Sequence, residues 1–184
     1  KYAIQIAASL AYLAEIEQIR GHFQVAVTHL EEVLRLVGDQ AVDSVRVVFD
    51  IDLGIAYYWK EDLIQARLCF DRAQKILSSV RFPWKEELLE FYQSLIACQQ
   101  GDQEKVADYL ARKERTMNPS ANSRDKGMVH YLLAFLSNQK EKGEELDPAL
   151  STFLKEDKNY YKKVAEQHLN PYRDRQFLKK LKDL

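Results

Sequence analysis

The feature that most constrains the fold is an internal repeat: the 184-residue chain lines up with itself when position 14 is laid on position 54. Three columns of similar small or apolar residues recur at that spacing. The columns are Ala14, Gly54, Ser94 and Ala134; Ala26, Ala66, Val106 and Leu146; and Leu30, Phe70, Leu110 and Leu150. A fixed period of about 40 residues predicts stacked copies of one structural unit. Because stacked repeats build extended concave surfaces, the pattern favours binding of another chain over catalysis.

Composition and charge describe a folded protein without a strong overall field. Charged residues make up 30% of the chain, hydrophobic residues 46%, and the net charge is −1, so neither nucleic acid nor a membrane surface is attracted by the chain as a whole. Residues 155–184 hold nine basic and five acidic side chains. The acids, with an amphipathic pattern at the end of the chain, favour a solvated helix face over a phosphate-binding site. No apolar run approaches the roughly 20 residues that a membrane span needs.

The two cysteines and the first residue bear on location and completeness. Cys69 and Cys98 each lie among apolar neighbours in a helical pattern. A disulfide framework is not expected from two such residues, which favours a reducing compartment and a cytoplasmic location. The sequence begins at Lys1 rather than at methionine. We therefore expect it to be a piece of a larger protein.

Helical periodicity runs through nearly the whole sequence. Glycine and proline are scarce and stand between the periodic segments, and no segment shows the sustained alternation that predicts a strand. In Asp147-Pro148 and Asn170-Pro171 a capping residue precedes proline, which is a typical helix start. The predicted helices are 2–20, 23–37, 43–60, 63–79, 85–100, 103–117, 127–141, 148–157, 159–169 and 171–183. The predicted fold class is all-α.

The helices group into pairs with a packing reason. The first helix of a pair needs a small residue where the second crosses it, and a glycine at that place, Gly54, predicts close backbone approach. On this basis residues 1–117 form three helix hairpins and 118–126 form a linker. Residues 127–184 form a degenerate fourth repeat and C-terminal capping helices.

The second hairpin resembles a known repeat family. Its matching residues are Leu53-Gly54-Ile55-Ala56-Tyr57, then Ala66, Phe70 and Ala73, which are similar to the tetratricopeptide repeat (TPR) pattern Leu-Gly-x-x-Tyr followed by Ala-x-x-x-Phe. Asp50 and Ser78 depart from the usual tryptophan and proline, and the period is 40 rather than the usual 34. The resemblance implies a right-handed superhelix of stacked antiparallel helix pairs, with three to four repeats and capping helices. It also implies protein or peptide binding, as in bacterial signal-responsive regulators and scaffold proteins.

A projection of the third helix predicts a partner-binding groove. Leu53, Ala56 and Tyr57 point into the hairpin, so residues on the opposite side of the helix face away from it. Shifts by one repeat period carry that face into the next two repeats, and polar groups follow its rim. The predicted groove residues are Ile51, Asp52, Ile55, Tyr58, Trp59, Phe91, Tyr92, Leu95, Tyr131 and Phe135. Aromatic anchors with polar neighbours suit an apolar peptide or helix.

Two interpretations of this groove stay open. In the first, the chain is the sensing or partner-binding domain of a larger cytoplasmic regulatory protein, and a foreign segment with apolar anchors occupies the groove. In the second, the chain is a structural scaffold or self-association domain. Its groove is then filled by a second copy, in a homodimer, or by its own C-terminal helix, which has an apolar stripe at Phe177, Leu178, Leu181 and Leu184. TPR domains that clamp a C-terminal carboxylate use lysine and asparagine at places held here by apolar residues, so that partner class is not expected.

Catalytic and metal-binding patterns are weak. The histidines, His22, His29, His130 and His168, are scattered without metal-ligand spacing. Asp50 and Asp52 resemble a metal-binding pair, but on a helix their side chains diverge by about 200°. No phosphate-binding loop or nucleophile elbow occurs. We therefore expect no enzyme activity, no metal site and no cofactor.

Overall fold

The computed structural model describes residues 2–38, 42–116 and 123–184, in which all regular structure is α-helical. The helices of these residues are α1 (Tyr2–Arg20), α2 (Phe23–Val37), α3 (Asp43–Trp59), α4 (Leu63–Leu77), α5 (Pro83–Gln99), α6 (Gln103–Thr116), α7 (Ser123–Glu141), α8 (Pro148–Ser151), α9 (Lys158–His168) and α10 (Arg175–Asp183). The all-α prediction is confirmed. None of these helices combines the length and apolarity needed to cross a membrane.

The predicted start of the last helix at Pro171 is wrong. The side-chain oxygen of Asn170 accepts hydrogen bonds from the backbone N–H groups of Tyr172 and Arg173 at 2.9 and 3.0 Å. This local turn competes with the helix, because a side-chain acceptor replaces the helical carbonyl partner. Residues 171–174 therefore form turns, and α10 begins at Arg175.

The predicted helix 148–157 is also too long. Helix α8 ends after one turn at Ser151, and residues 152–157 lead to a new helix start. There the carboxylate of Asp157 accepts the backbone N–H of Tyr160 at 2.8 Å. A capping residue of this kind satisfies an otherwise unpaired donor of the first turn and so fixes where α9 begins.

The chain divides into two compact units, Lys1–Gln93 and Ser94–Leu184, and α5 contributes to both. In the first unit α1 packs on α2, α2 on α3, and α3 on α4. In the second unit α7 packs on α9 and α10, and α6 packs on α8. Of the predicted linker 118–126, residues 118–122 lie outside the described residues, whereas 123–126 form the first turn of α7.

One backbone turn recurs along the chain. Gly21, Glu61, Gly101 and Gly143 all have positive φ, at 88°, 69°, 75° and 85°. In each turn this residue donates its N–H to the carbonyl three residues back, and the next residue donates to the carbonyl five residues back. These bonds form the Schellman arrangement, which pairs the last carbonyl groups of a helix. The first three turns keep the sequence period and the fourth falls two positions later, so the period has a counterpart in backbone geometry.

The repeat columns lie in the interior. All twelve column residues are buried except Leu146, which is half-buried. A Cβ atom added at Gly54 would lie within 3.0 Å of three ring carbons of Phe70. The predicted close approach at Gly54 is therefore confirmed. In the first hairpin Ala14 and Leu30 stand at the corresponding positions, so a larger residue in one column accompanies a smaller one in the other.

Candidate partner-binding surfaces

In the first unit most of the predicted groove residues belong to the interior. Ile51, Tyr58, Phe91 and Tyr92 are buried, whereas Asp52, Ile55 and Trp59 are half-buried. The burial of the four aromatic and aliphatic side chains removes them from the surface that a partner would meet. Accessible surface at the predicted groove of this unit is thus confined to one row on α3, spaced three and four residues apart.

The polar rim residues of this unit are used by neighbouring elements of the same chain. The ammonium group of buried Lys85 on α5 donates to Asp52 of α3 at 2.5 Å, and the indole N–H of Trp59 donates to the hydroxyl oxygen of Tyr92 at 3.0 Å. Both pairs have the same sequence separation, so α3 and the first part of α5 run side by side in the same direction. These bonds stabilise the helix pair and orient Asp52 and Trp59.

An aromatic cluster accounts for the burial on this side of α3 and α5. The ring of Tyr92 lies 5.2 Å from that of Tyr58, 5.7 Å from that of Phe91 and 6.0 Å from that of Phe70. These separations are typical of edge-to-face and tilted ring packing in protein cores. The aromatic residues that were predicted as anchors for a partner thus pack on one another.

In the second unit the C-terminal helix contacts the predicted groove. Leu95 and Tyr131 are buried, and Phe135 is half-buried. The ring of Tyr131 on α7 lies 4.9 Å from the ring of Phe177 on α10, in edge-to-face geometry. Phe135 lies one helical turn beyond Tyr131 on the same side of α7. Helix α10 therefore packs against the side of α7 that the sequence assigned to a partner.

A polar cluster between α3 and α4 joins buried Asp50 and Cys69 to Arg72, whose side chain is 46% exposed. Arg72 donates to the Oδ1 atom of buried Asp50 at 2.9 and 2.7 Å and to the sulfur of Cys69 at 3.2 Å. Among the described residues, the Oδ2 atom of Asp50 has no hydrogen-bond partner. Asp52 pairs instead with Lys85, so the two aspartates point to different partners, as the helical projection predicts.

The two cysteines and His130 have pKa values that are shifted by burial. Burial raises the pKa of the Cys69 thiol to about 11 and that of the Cys98 thiol to about 12, which keeps both protonated and unreactive. Burial also lowers the pKa of His130, whose Nδ1 atom lies 2.8 Å from the carbonyl oxygen of Lys126. Across residues 2–38, 42–116 and 123–184, no group of three or more His, Cys, Asp or Glu side chains is placed to hold a metal ion.

The groove prediction missed an accessible apolar surface of the first unit, on α1. Helix α1 buries Ala7 and Ala14, whereas its other side exposes most of its large apolar residues. Exposed fractions are 82% for Tyr2, 51% for Ile6, 70% for Tyr12, 45% for Leu13 and 43% for Ile16. The residues spaced alternately by four and three positions along this side are Tyr2, Ile6, Ser9, Leu13 and Ile16. We call these five residues, with Tyr12, the outer face of α1.

A sequence signal for this face exists. From Tyr2 to Ala14 the helix contains no charged residue. A surface helix of a globular protein ordinarily carries charged residues opposite its buried side. Their absence over three and a half turns distinguishes α1 from an ordinary surface helix.

Comparisons of this chain with protein-family models, with curated proteins and with solved structures gave no match. The surfaces described above are therefore interpreted from their own geometry and chemistry.

Proposed function

We propose that this chain is a protein-binding helical-repeat module of the TPR type, acting as the sensing or partner-binding part of a larger cytoplasmic regulatory protein. The recurring left-handed turns and the buried residue columns support the repeat. One observation supports the binding role above all others, namely the exposed outer face of α1. Monomeric soluble proteins seldom leave a contiguous apolar surface of this kind uncovered without a use for it.

The first unit itself indicates what kind of partner fits. Helix α3 packs on α4, its hairpin partner, and also on α2. Leu53 of α3 is buried, yet Leu13, its equivalent in the preceding repeat, is 45% exposed on α1. The C-terminal part of the outer face of α1, Leu13 and Ile16, therefore corresponds to covered positions of α3, since Leu53 and Ala56 are buried. The equivalents of the other outer-face positions are half-buried or exposed. We propose that a helix of the partner covers Leu13 and Ile16, as neighbouring helices of the same chain cover Leu53 and Ala56.

The spacing on the outer face of α1 narrows the chemistry of that helix. Large apolar residues and one serine, alternating at intervals of four and three positions, form a seam for a second helix packed at a small crossing angle. Exposed Ser9 is small, which leaves room for a large side chain from the partner. Its hydroxyl donates to the carbonyl oxygen of Gln5 at 3.1 Å, so covering it leaves no unpaired donor.

The expected partner is therefore an amphipathic helix with an uncharged, apolar stripe. A charge in that stripe would lose its hydration against the outer face of α1, which offers no opposite charge in return. Of the predicted groove on α3, the half-buried residues Asp52, Ile55 and Trp59 keep surface that a partner can contact.

A matched pair of surface variants tests the proposal. Ile6→Glu places a charge in the seam, whereas Ile64→Glu makes the same change at an exposed isoleucine of α4, which is 75% accessible. Photocrosslinking from position 12 in cells should give a defined adduct with the unmodified chain and with Ile64→Glu, and Ile6→Glu should abolish it. An adduct that persists in Ile6→Glu contradicts a binding role for this face. Sedimentation of the purified chain identifies the case in which the adduct is a second copy.

The contact between Tyr131 and Phe177 favours a second candidate function. In this alternative the chain is a structural scaffold or self-association domain whose groove is permanently filled by its own C-terminal helix. Burial of Phe177 and Leu181 supports it. The scaffold function requires α10 to stay on α7 for as long as the unit is folded, which hydrogen exchange measures directly; the outer face of α1 is tested separately by the variants above.

A further inference from the structure

Helix α10 has the properties of a bound peptide more than those of a core helix. Its nine residues are fewer than the roughly 12 that an isolated helix needs for stability in water. Its outer side holds exposed Arg175, Lys179 and Lys182, and these like charges stand three and four residues apart on the helix. Such pairs destabilise an isolated helix. The helix therefore depends on what it packs against.

The helix docks through two kinds of contact. Phe177 and Leu181, one turn apart, are buried, and the Phe177 ring meets Tyr131 of α7. Asp174, at the position that precedes the first helical residue, accepts hydrogen bonds from the Nε and Nη2 atoms of Arg124 at 3.0 and 2.7 Å. The buried apolar pair supplies the driving force for docking. The ion pair sets the register, because two guanidinium N–H groups of Arg124 donate to the same carboxylate oxygen of Asp174, which fixes its position.

The side chain at the helix start serves the docking contact and not the helix. Asp174 occupies the N-cap position, yet no cap hydrogen bond from its side chain to the first turn of α10 is present. Its carboxylate instead accepts from Arg124 and from the backbone N–H of Asn170 at 3.0 Å. A side-chain cap ordinarily stabilises a helix by itself. Since this carboxylate is engaged by Arg124 and Asn170, the docked α10 has no side-chain cap and depends on its contacts with α7 for stability.

The segment before the helix is built as a connection. Leu169 and Asp174 are buried, whereas residues 170–173 between them are exposed, and 171–173 form turns. Such a segment can change its backbone angles at low free-energy cost, because few buried side chains have to move with it. The packing of α7 on α9 does not involve α10, so we expect it to persist when α10 leaves its place.

We propose that α7 carries a receptor site for an amphipathic helix and that α10 is its displaceable internal ligand. The site is formed by Arg124 and Tyr131, with half-buried Phe135 one turn further along α7. The helix it accepts has an aspartate, an aromatic residue three positions later and a leucine four positions after that, which is the pattern of residues 174, 177 and 181. A partner helix with this pattern competes with the tail. This site lies in the other unit from the outer face of α1, so each proposal can fail without the other.

A peptide with the sequence of residues 170–184 serves as the probe. The full chain carrying both Phe177→Ala and Leu181→Ala has a weakened internal competitor, so it should bind the labelled peptide at least about tenfold more tightly than the unmodified chain does. The full chain with Ile64→Ala and Leu68→Ala removes two exposed apolar side chains, also four positions apart, from α4; it is the matched control and should bind like the unmodified chain. A peptide that itself carries the two alanines in place of Phe177 and Leu181 should not bind. Equal binding by all chains, or binding by none, overturns the proposal.

Hydrogen exchange on the unmodified full chain gives a second readout that does not depend on a variant folding. If the tail is displaceable, the amides of α10 exchange at least about tenfold faster than those of α7 and α9, through an opening that leaves the latter protected. Exchange of α10 at the same rate as α7, through the same global unfolding, shows a permanent part of the core and overturns the proposal.

Discussion

The two hairpins of the first unit begin with helices of similar apolar character, but the two helices are buried to different extents. Helix α3, in the hairpin α3–α4, buries eight residues, whereas α1, in the hairpin α1–α2, buries Ala7 and Ala14. The difference does not come from the residue types, since both helices contain isoleucine, leucine and tyrosine. It comes from what packs on them: α3 contacts both α2 and α4. An apolar helix is core or surface according to its neighbours, and α1 shows the side that a neighbour would cover.

The test with the largest expected effect replaces an isoleucine by alanine in each of the two helices. Ile51→Ala on α3 removes a fully buried side chain and should lower the free energy of unfolding by about 4 kcal/mol through lost burial and the cavity left behind. Ile16→Ala on the outer face of α1 should change it by no more than about 0.5 kcal/mol. Urea titration of both variants measures the difference. Equal losses would mean that Ile16 is covered in solution.

The next test removes the ion pair between Asp50 and Arg72 in the hairpin α3–α4. One repeat period earlier, Leu10 and Glu32 stand in place of Asp50 and Arg72, so the first hairpin cannot form a corresponding pair at these positions. Arg72→Leu leaves the buried carboxylate of Asp50 without its partner and should destabilise the chain by about 3 kcal/mol in urea titration.

The double variant with Leu at both positions is the control for that prediction. It removes the buried charge together with its partner, so most of the lost stability should return. If the single and double variants are equally unstable in urea titration, packing of the Arg72 side chain and not its charge is the main contribution.

A smaller effect tests whether the residue columns of Gly54 and Phe70 compensate each other in size. Gly54→Ala places a methyl group against the Phe70 ring and should cost about 2 kcal/mol by overpacking. The first hairpin has Ala14 and Leu30 at these positions, so adding Phe70→Leu should recover much of that loss. Thermal unfolding of both single variants and the double variant gives the coupling. Purely additive losses would show that the two columns do not compensate each other.

The smallest effect concerns the turn after the first helix of each hairpin. Gly21 follows the end of α1 and Glu61 follows that of α3, both with positive φ. Glu61→Gly should raise stability by about 1 kcal/mol, because a residue with a Cβ is strained in this conformation. Gly21→Ala should lower it by a similar amount, and thermal unfolding measures both. A loss of stability in Glu61→Gly would show that contacts of the Glu61 side chain outweigh the backbone strain.

The positions of the helices could be predicted from the sequence. Which side of each helix is covered by another part of the chain could not. Capping residues and glycines are local signals, so nearly all helix ends were predicted within a few residues. Pro171 misled because Asn170 turns the backbone with its own side chain. The projection identified Phe91 and Tyr131 as belonging to one side of their helices. It contains no information on what else packs there, and the aromatic cluster and α10 are contacts between residues distant in sequence.

The outer face of α1 was overlooked for a related reason. Moving the groove positions of α3 back by one repeat period leads to Ala11, Glu15 and Gln18, a mostly polar set. Leu13 corresponds instead to Leu53, which the helical projection places inside the hairpin. Equivalent positions in a repeat share a backbone place but share burial only where both have the same neighbours.

The four left-handed turns have a kinetic consequence. Their hydrogen bonds close over three and five residues, and in the first unit each of the helices α1 to α3 meets the next one along the chain. Little chain entropy is spent in bringing such close segments together, so low contact order predicts rapid refolding, on a microsecond-to-millisecond timescale. Folding can then nucleate at any of these turns. During folding, the inner side of the apolar helix α1 is exposed for only a brief interval before α2 packs on it.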